Sequence, residues 1–294
     1  MIDRGREPLS SSTSRVMAAR GFYPGDCQAQ LDAFIAGHQT PDELPQSLHG
    51  AMLPHAGWMY SGGVAARTLN CFRKIPEPET VVMFGAVHDP SVTMHALYPE
   101  GEWGTPLGRV KVDHLGGAAI LEEAAGQMEA NVEAHTFEHS IEVLVPMVKY
   151  FLPGAGIIPI AVLPEPAATA IGMAAAKALD LQKRSTIFLA SSDLTHYGRQ
   201  FGTAPAGTGP KAEAWMEEND RRLIDILCQG TGEEVLEEAL MHRNACGAGA
   251  LAALKGAMAV LGVPQGHLIE YTNSHKVMKD RVFQQAVGYA GVVF

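Results

Sequence analysis

Six residues of this chain have types and settings that could act together: His55, His88, His139, Asp193, His196 and Cys246. A neutral imidazole binds transition metals and moves protons near neutral pH. A thiolate is both a metal ligand and a nucleophile. His55 lies in LPHAGWMYSG, between a short apolar run and a helical pattern. His88 lies in FGAVHDP, where the apolar run 80–84 ends, and His196 follows Asp193 by three positions in SSDLTHYG, after the run 186–190. A single loop histidine is usually structural or solvated. Three at the ends of apolar runs carry more weight, because ligand sites in open α/β sheets lie beyond the carboxyl ends of the strands.

Cys246 precedes Gly247 at the start of the helical pattern 248–261. Free backbone N–H groups and the helix dipole there would stabilise a thiolate. An inert thiol in a small-residue turn explains the same residue, and both readings stay open. Cys27, Cys71 and Cys228 have no comparable setting and read as structural. In the EHSIE segment, Glu138 and Glu142 are four apart at an expected helix start, so they should share a face with His139 turned away. The dipole alone would account for Glu138, while His139 is a candidate outer hydrogen-bond donor or proton shuttle. The spacing is not that of HExxH, and no GxSxG elbow, phosphate-binding GxxxxGK[ST] loop or strand-linked GxGxxG occurs.

The elements that must carry these residues alternate. Strands are expected at 50–53, 80–84, 94–98, 109–112, 157–163, 186–190, 267–272 and 286–293. Helices are expected at 63–72, 115–127, 167–181, 213–228, 233–240 and 248–261, with another ending near 151. This alternation predicts one α/β domain with a mostly parallel central sheet flanked by helices. The polar, Ser-rich residues 1–15 read as a mobile tail, with the domain spanning 16–294.

A formal charge of −10 argues against nucleic acid or anionic membrane as a partner, since both need basic surface. The four scattered cysteines fit a reducing compartment. No apolar run is long enough to cross a bilayer, and the first 20 residues lack the apolar centre of a signal peptide. The expectation is a cytoplasmic protein acting on a small molecule, with a homo-oligomer as an open option.

LPHAGWMYSG, FGAVHDP, FEHSIEVLVP, SSDLTHYG and NACGAGA, in this order from about Gly21 onward, resemble the Memo family, also called AmmeMemoRadiSam system protein B. The resemblance implies the α/β fold of class III extradiol non-haem iron dioxygenases. It also implies a metal held by His55, His88 and Cys246, with His139, Asp193 and His196 lining the same pocket. Two positions depart from the family pattern. Asp89 stands where a second histidine often follows the ligand, and Ala248-Gly249-Ala250 replaces an Arg-His-Pro stretch.

Two imidazoles and a thiolate leave coordination positions open, as a catalytic rather than a closed structural site requires. Iron is the first choice of metal; the soft thiolate also suits copper or zinc. The leading expectation is therefore a non-haem metal-dependent oxidoreductase, dioxygenase-like, with His139 or His196 as acid/base and Asp193 orienting a histidine. One alternative is a non-catalytic ligand- or peptide-binding module, since the family includes a eukaryotic member linked to phosphotyrosine peptides. Phosphate recognition favours arginine clusters, however, and only Arg199 is near in sequence. Another alternative makes Cys246 the nucleophile of a hydrolase or transferase.

Overall fold

The computed structural model describes residues 14–41 and 43–294. Its strands are β1 (Ser14–Arg15), β2 (Gly50–Leu53), β3 (Thr80–Gly85), β4 (His95–Leu97), β5 (Glu102–Thr105), β6 (Gly108–Lys111), β7 (Met128–Ala130), β8 (Gly156–Ala161), β9 (Thr186–Ser191), β10 (His196–Tyr197), β11 (His267–Asn273) and β12 (Ala286–Val293). Its α-helices are α1 (Cys27–Ile35), α2 (Gly63–Asn70), α3 (His114–Glu123), α4 (Val145–Phe151), α5 (Ala168–Leu181), α6 (Pro210–Gln229), α7 (Gly232–His242), α8 (Ala248–Val260) and α9 (Ser274–Met278).

The main sheet runs β10–β12–β2–β9–β3–β8–β4–β7, with β11 also paired to β12. The four middle strands β2, β9, β3 and β8 are parallel to one another. The flanks are mixed, because β12 runs antiparallel to β2 and β4 antiparallel to β8. Antiparallel neighbours need no crossover helix, so short connections can extend the sheet beyond its parallel centre.

Side chains of the middle strands alternate between two apolar layers. Met52, Phe188, Val82, Phe84, Ile158 and Ile160 face one core with α3, α5, α6, α7 and α8. Ala51, Leu53, Leu189, Val81, Met83 and Ile157 face the other, with α1, α2 and α4. Strands buried on both faces therefore read as continuous apolar runs. Helices α5 and α8 pack backbone to backbone, which explains their alanine content: a Cβ on Gly172 would fall 1.7 Å from the Ala253 carbonyl oxygen.

The expected mobile tail needs correction at its end. Residues 1–13 lie outside the described residues, but Ser14 and Arg15 form a strand, parallel to Glu102 and Trp103 of a small β1–β5–β6 sheet. Arg15 is buried because its charge is fully engaged. It donates to Glu142 at 2.5 Å, to the His135 carbonyl at 2.7 Å and to the Glu138 carbonyl at 2.9 Å, and its guanidinium lies over the Trp103 ring. Among the described residues, no helix is long and apolar enough to cross a membrane.

Candidate metal centre

Strand order decides where the candidate residues meet. β2, β9 and β3 are adjacent, so their carboxyl ends deliver His55, the Ser191–Asp193 turn and His88 side by side. Cys246 arrives from the turn before α8, tied down by its own N–H to the Asp193 carbonyl and by Gly247 N–H to Ser192 Oγ. The Sγ of Cys246 lies 3.2 Å from His55 Nε2. One ligand atom from each of His55, His88 and Cys246 falls within 4.8 Å of the others. Metal–ligand bonds of about 2.0–2.3 Å place donors roughly 3.3–3.7 Å apart around a tetrahedral ion, so modest closure of this set would hold one.

Proton counting fixes which ring nitrogens face inward. Ser191 gives its single hydroxyl proton to the Ser140 carbonyl at 2.6 Å. The 2.8 Å bond between His55 Nδ1 and Ser191 Oγ must then use the ring's own proton, which leaves the Nε2 lone pair facing Cys246. His88 Nδ1 donates to Glu138 Oε1 at 2.9 Å, and its backbone N–H donates to Oε2 at 2.8 Å, so Nε2 is again the free nitrogen. A histidine anchored this way through its far nitrogen is the usual arrangement of a metal ligand.

Electrostatics agree with a site built for bound charge. Burial, with some help from His88, pushes His55 down to about 3, so the ring is neutral at neutral pH. For His88 burial works in the same direction, but the hydrogen bond and charge of Glu138 outweigh it and its pKa is raised. Glu138 is pulled well below the usual carboxylate range: burial opposes this, and His88 and the N–H groups of Ser140 and His88 overcome it. The Cys246 thiol is pushed up by burial and by the Asp193 carboxylate. This corrects the expectation of a thiolate stabilised by a helix start. The residue stands ahead of the helix and half-buried, and the nearby carboxylate outweighs the N–H donor from Asp193 at 3.3 Å.

The EHSIE reading also changes. Residues 138–140 are not helical, so Glu138 and Glu142 do not share a helix face. Glu138 turns to His88. Glu142 turns the other way, accepting from Arg15, Tyr23 and the N–H groups of Ala18 and Ala19. His139 is on the site side: its ring stacks on His88 with centroids 4.6 Å apart and meets His55 edge-on at 5.4 Å. Burial and the two neighbouring imidazoles lower it to about 4.

Asp193 Oδ1 accepts from the N–H groups of His55 and Ala56, at 2.8 and 3.2 Å, so it positions His55 through the backbone rather than through the ring. His196 packs on Phe201 with centroids 5.2 Å apart, and its buried Nε2 has no protein partner among the described residues. His55, His88, His139, Asp193 and His196 line one cavity of about 580 Å³, whose remaining wall includes Phe22, Tyr60, Phe201, Met278 and Tyr289.

Ser191 and Phe22 do not stand out in the sequence, where Glu138 has only a structural role. Adjacency of Glu138 to His139, and of Ser191 to the SSDLTH turn, were the available signals. The two departures noted in the sequence lie away from the cavity. Asp89 is exposed and accepts the Ser91 N–H at 2.8 Å. Gly249 packs where a Cβ would lie 2.3 Å from the Leu163 carbonyl oxygen, so this stretch serves helix packing.

Comparison with known proteins places the chain. A family model described as Memo-like protein matches residues 16–293. A MEMO1 family protein of Methanothermobacter thermautotrophicus is 35% identical over 289 residues, covering 94% of this chain and 98% of its own. One from Pyrococcus abyssi is 33% identical over 259 residues, covering 84% and 87% respectively. Among solved structures, the uncharacterized protein JW3007 from Escherichia coli K12 aligns with a TM-score of 0.51 at 15% identity, over 84% of this chain and 100% of that one, a likeness of fold alone. With the motifs in order and the match running nearly end to end, the chain belongs to the Memo-like protein family.

Proposed function

We propose that this chain binds one transition metal through His55 Nε2, His88 Nε2 and Cys246 Sγ, and uses it in dioxygenase-like oxidoreductase chemistry on a small organic molecule held in the adjoining cavity. The observation that carries the reading is the proton count. Ser191 and Glu138 each take a histidine Nδ1–H, so His55 Nε2 is directed at the Cys246 sulfur and His88 Nε2 is left free to join them. Iron would supply redox chemistry there, while copper or zinc would suit the thiolate equally well.

The chain's own residues supply the rest. Binding displaces the proton of Cys246, the Asp193 N–H is placed to hold the resulting charge, and Glu138 keeps the His88 Nδ1–H turned away from the metal. His139, neutral at neutral pH, is available to accept a proton, and His196 lines the cavity beside it. Phe22 over His139 and Phe201 over His196 shield both rings from water.

The test is metal content of protein purified without added metal and after iron loading, set against Cys246→Ser, together with O2 consumption. Wild type that takes up no metal would end the proposal. Metal uptake with no O2 consumption across a panel of phenols and amines would reduce the protein to a binding module. The 3.2 Å thiol–imidazole contact also resembles a nucleophile and its base. The thiol's raised pKa speaks against that role, because an activated nucleophile needs the opposite shift.

A further inference from the structure

The cavity beside the candidate centre has a consistent chemical character, and it bears on what can occupy it. Its floor is imidazole and carboxylate: His55, His88, His139, His196 and Asp193. Its walls are largely aromatic or apolar, from Phe22, Tyr60, Phe201, Met278, Val287 and Tyr289. Asp280 adds a second carboxylate to the lining. Among the described residues, no lysine or arginine lines it.

The basic residues nearby in sequence are otherwise placed. Lys276 is paired with Glu217 at 2.5 Å, and Arg199, Lys279 and Arg281 lie outside the lining. An anion entering the cavity would meet two carboxylates and no fixed cation. A divalent metal bound with a thiolate contributes only one net positive charge, which Asp193 alone offsets. A cation, by contrast, would meet four aromatic rings and two carboxylates, and aromatic faces attract ammonium groups. At about 580 Å³ the volume suits a molecule of one or two rings.

We infer that the cavity selects its occupant by charge: it takes an aromatic molecule carrying an amine or no charge, and rejects the same molecule carrying a carboxylate. The hydroxyl or other polar end of that molecule faces the imidazoles of the floor, His139 and His196 among them. The aromatic body rests between Phe22 and Phe201, and the amine lies toward Asp280. This inference names a substrate class for the site proposed above, but it rests on the cavity's own lining and is tested apart from the metal.

Three probes of one size isolate the charge: tyramine, 4-ethylphenol and 4-hydroxyphenylacetate. Binding of each to the full chain is measured by titration calorimetry, once metal-free and once loaded with Zn(II), with the zinc-to-protein ratio determined on the same sample. In both states tyramine should bind roughly tenfold or more tighter than 4-hydroxyphenylacetate, with 4-ethylphenol between them. Asp280→Asn should narrow the tyramine advantage about threefold without changing 4-ethylphenol affinity. Phe201→Ala should weaken all three alike. Equal binding of the three probes, tighter binding of the carboxylate to the metal-free chain, or no measurable binding of any probe would each overturn the inference. Protein that takes up no zinc yet ranks the probes as expected would sink the metal reading and keep this one; zinc-loaded protein that does not discriminate would do the reverse.

Discussion

The sulfur of Cys246 lies 3.2 Å from Nε2 of His55, although 191 positions separate them in the chain. Each is held by a separate set of hydrogen bonds. The His55 ring is fixed by Ser191 and its backbone by Asp193, while Cys246 is fixed through the Asp193 peptide and Ser192. The turn after β9 therefore serves as a common jig for both atoms.

Cys246→Ser should keep the fold, since serine is nearly isosteric, yet weaken Zn(II) or Co(II) binding by roughly 100-fold or more, because a neutral hydroxyl replaces a thiolate ligand. The cobalt-loaded wild type should show thiolate charge-transfer absorption in the near ultraviolet. Equal affinity in the variant, or an unchanged spectrum, would exclude Cys246 as a ligand.

Glu138→Gln tests the anchor of His88. Glutamine keeps the shape but removes the charge that raises the ring's basicity, so metal affinity should fall roughly 10–100-fold. Thermal stability should change little by comparison. Competition against a chelator of known affinity measures the first effect and calorimetry the second.

Metal binding should strengthen with pH. The Cys246 thiol is pushed up by burial and by Asp193, so it is protonated in the metal-free protein at neutral pH and must release that proton on coordination. Affinity should rise by up to about tenfold per pH unit between roughly pH 7 and 8.5. Titration in buffers of different ionisation enthalpy should report release of about one proton per ion. Zero release would show that the thiol is not deprotonated by binding.

Acid should destabilise the metal-free fold through its buried histidines. Burial lowers His55 to about 3 and His135 and His139 to about 4, against 6.5 for an ordinary ring. Below about pH 6.5 the unfolded chain binds protons that the folded chain refuses, so stability falls as pH falls through that window. His88 acts in the opposite sense: its raised pKa adds stability below about pH 6.5 that fades as pH rises through its folded value. His38, His95 and His196 are lowered as well, while Asp220, raised to about 7, and Asp193, also raised, act with His88, so six rings against three groups leave a net loss toward pH 4. Unfolding midpoints followed by circular dichroism from pH 7 to 4.5 check this, and His139→Gln should flatten the slope by about one proton.

Arg15→Met should destabilise the chain by roughly 3–5 kcal/mol, because it leaves the buried Glu142 carboxylate without its cation. It also frees the carbonyls of His135 and Glu138, which hold the loop that delivers Glu138 and His139. Urea denaturation measures the loss. A change under 1 kcal/mol would mean that the loop is held without this pair.

Much of this protein follows from its sequence alone. The apolar runs that became β2, β3, β8 and β9 are legible because strands covered on both faces must be apolar throughout. The long helices are legible from their period, and the three strand-exit histidines stand out because each run ends just before one. The short strands β1, β5, β7 and β10 are not legible, since two to four residues carry no period.

Tertiary structure alone decided which groups touch. Only the order β2–β9–β3 makes the loops bearing His55, Asp193 and His88 neighbours. Only the fold shows that Cys246 is half-buried beside a carboxylate, so that its thiol is raised where a helix start suggested the reverse. Glu138 belongs to His88 and Glu142 to Arg15 because residues 138–140 leave the helix, which four-residue spacing by itself could not reveal. Residue types limit what chemistry is available. Proton positions, burial and neighbouring charge, which select among those options, arise only when distant segments pack together.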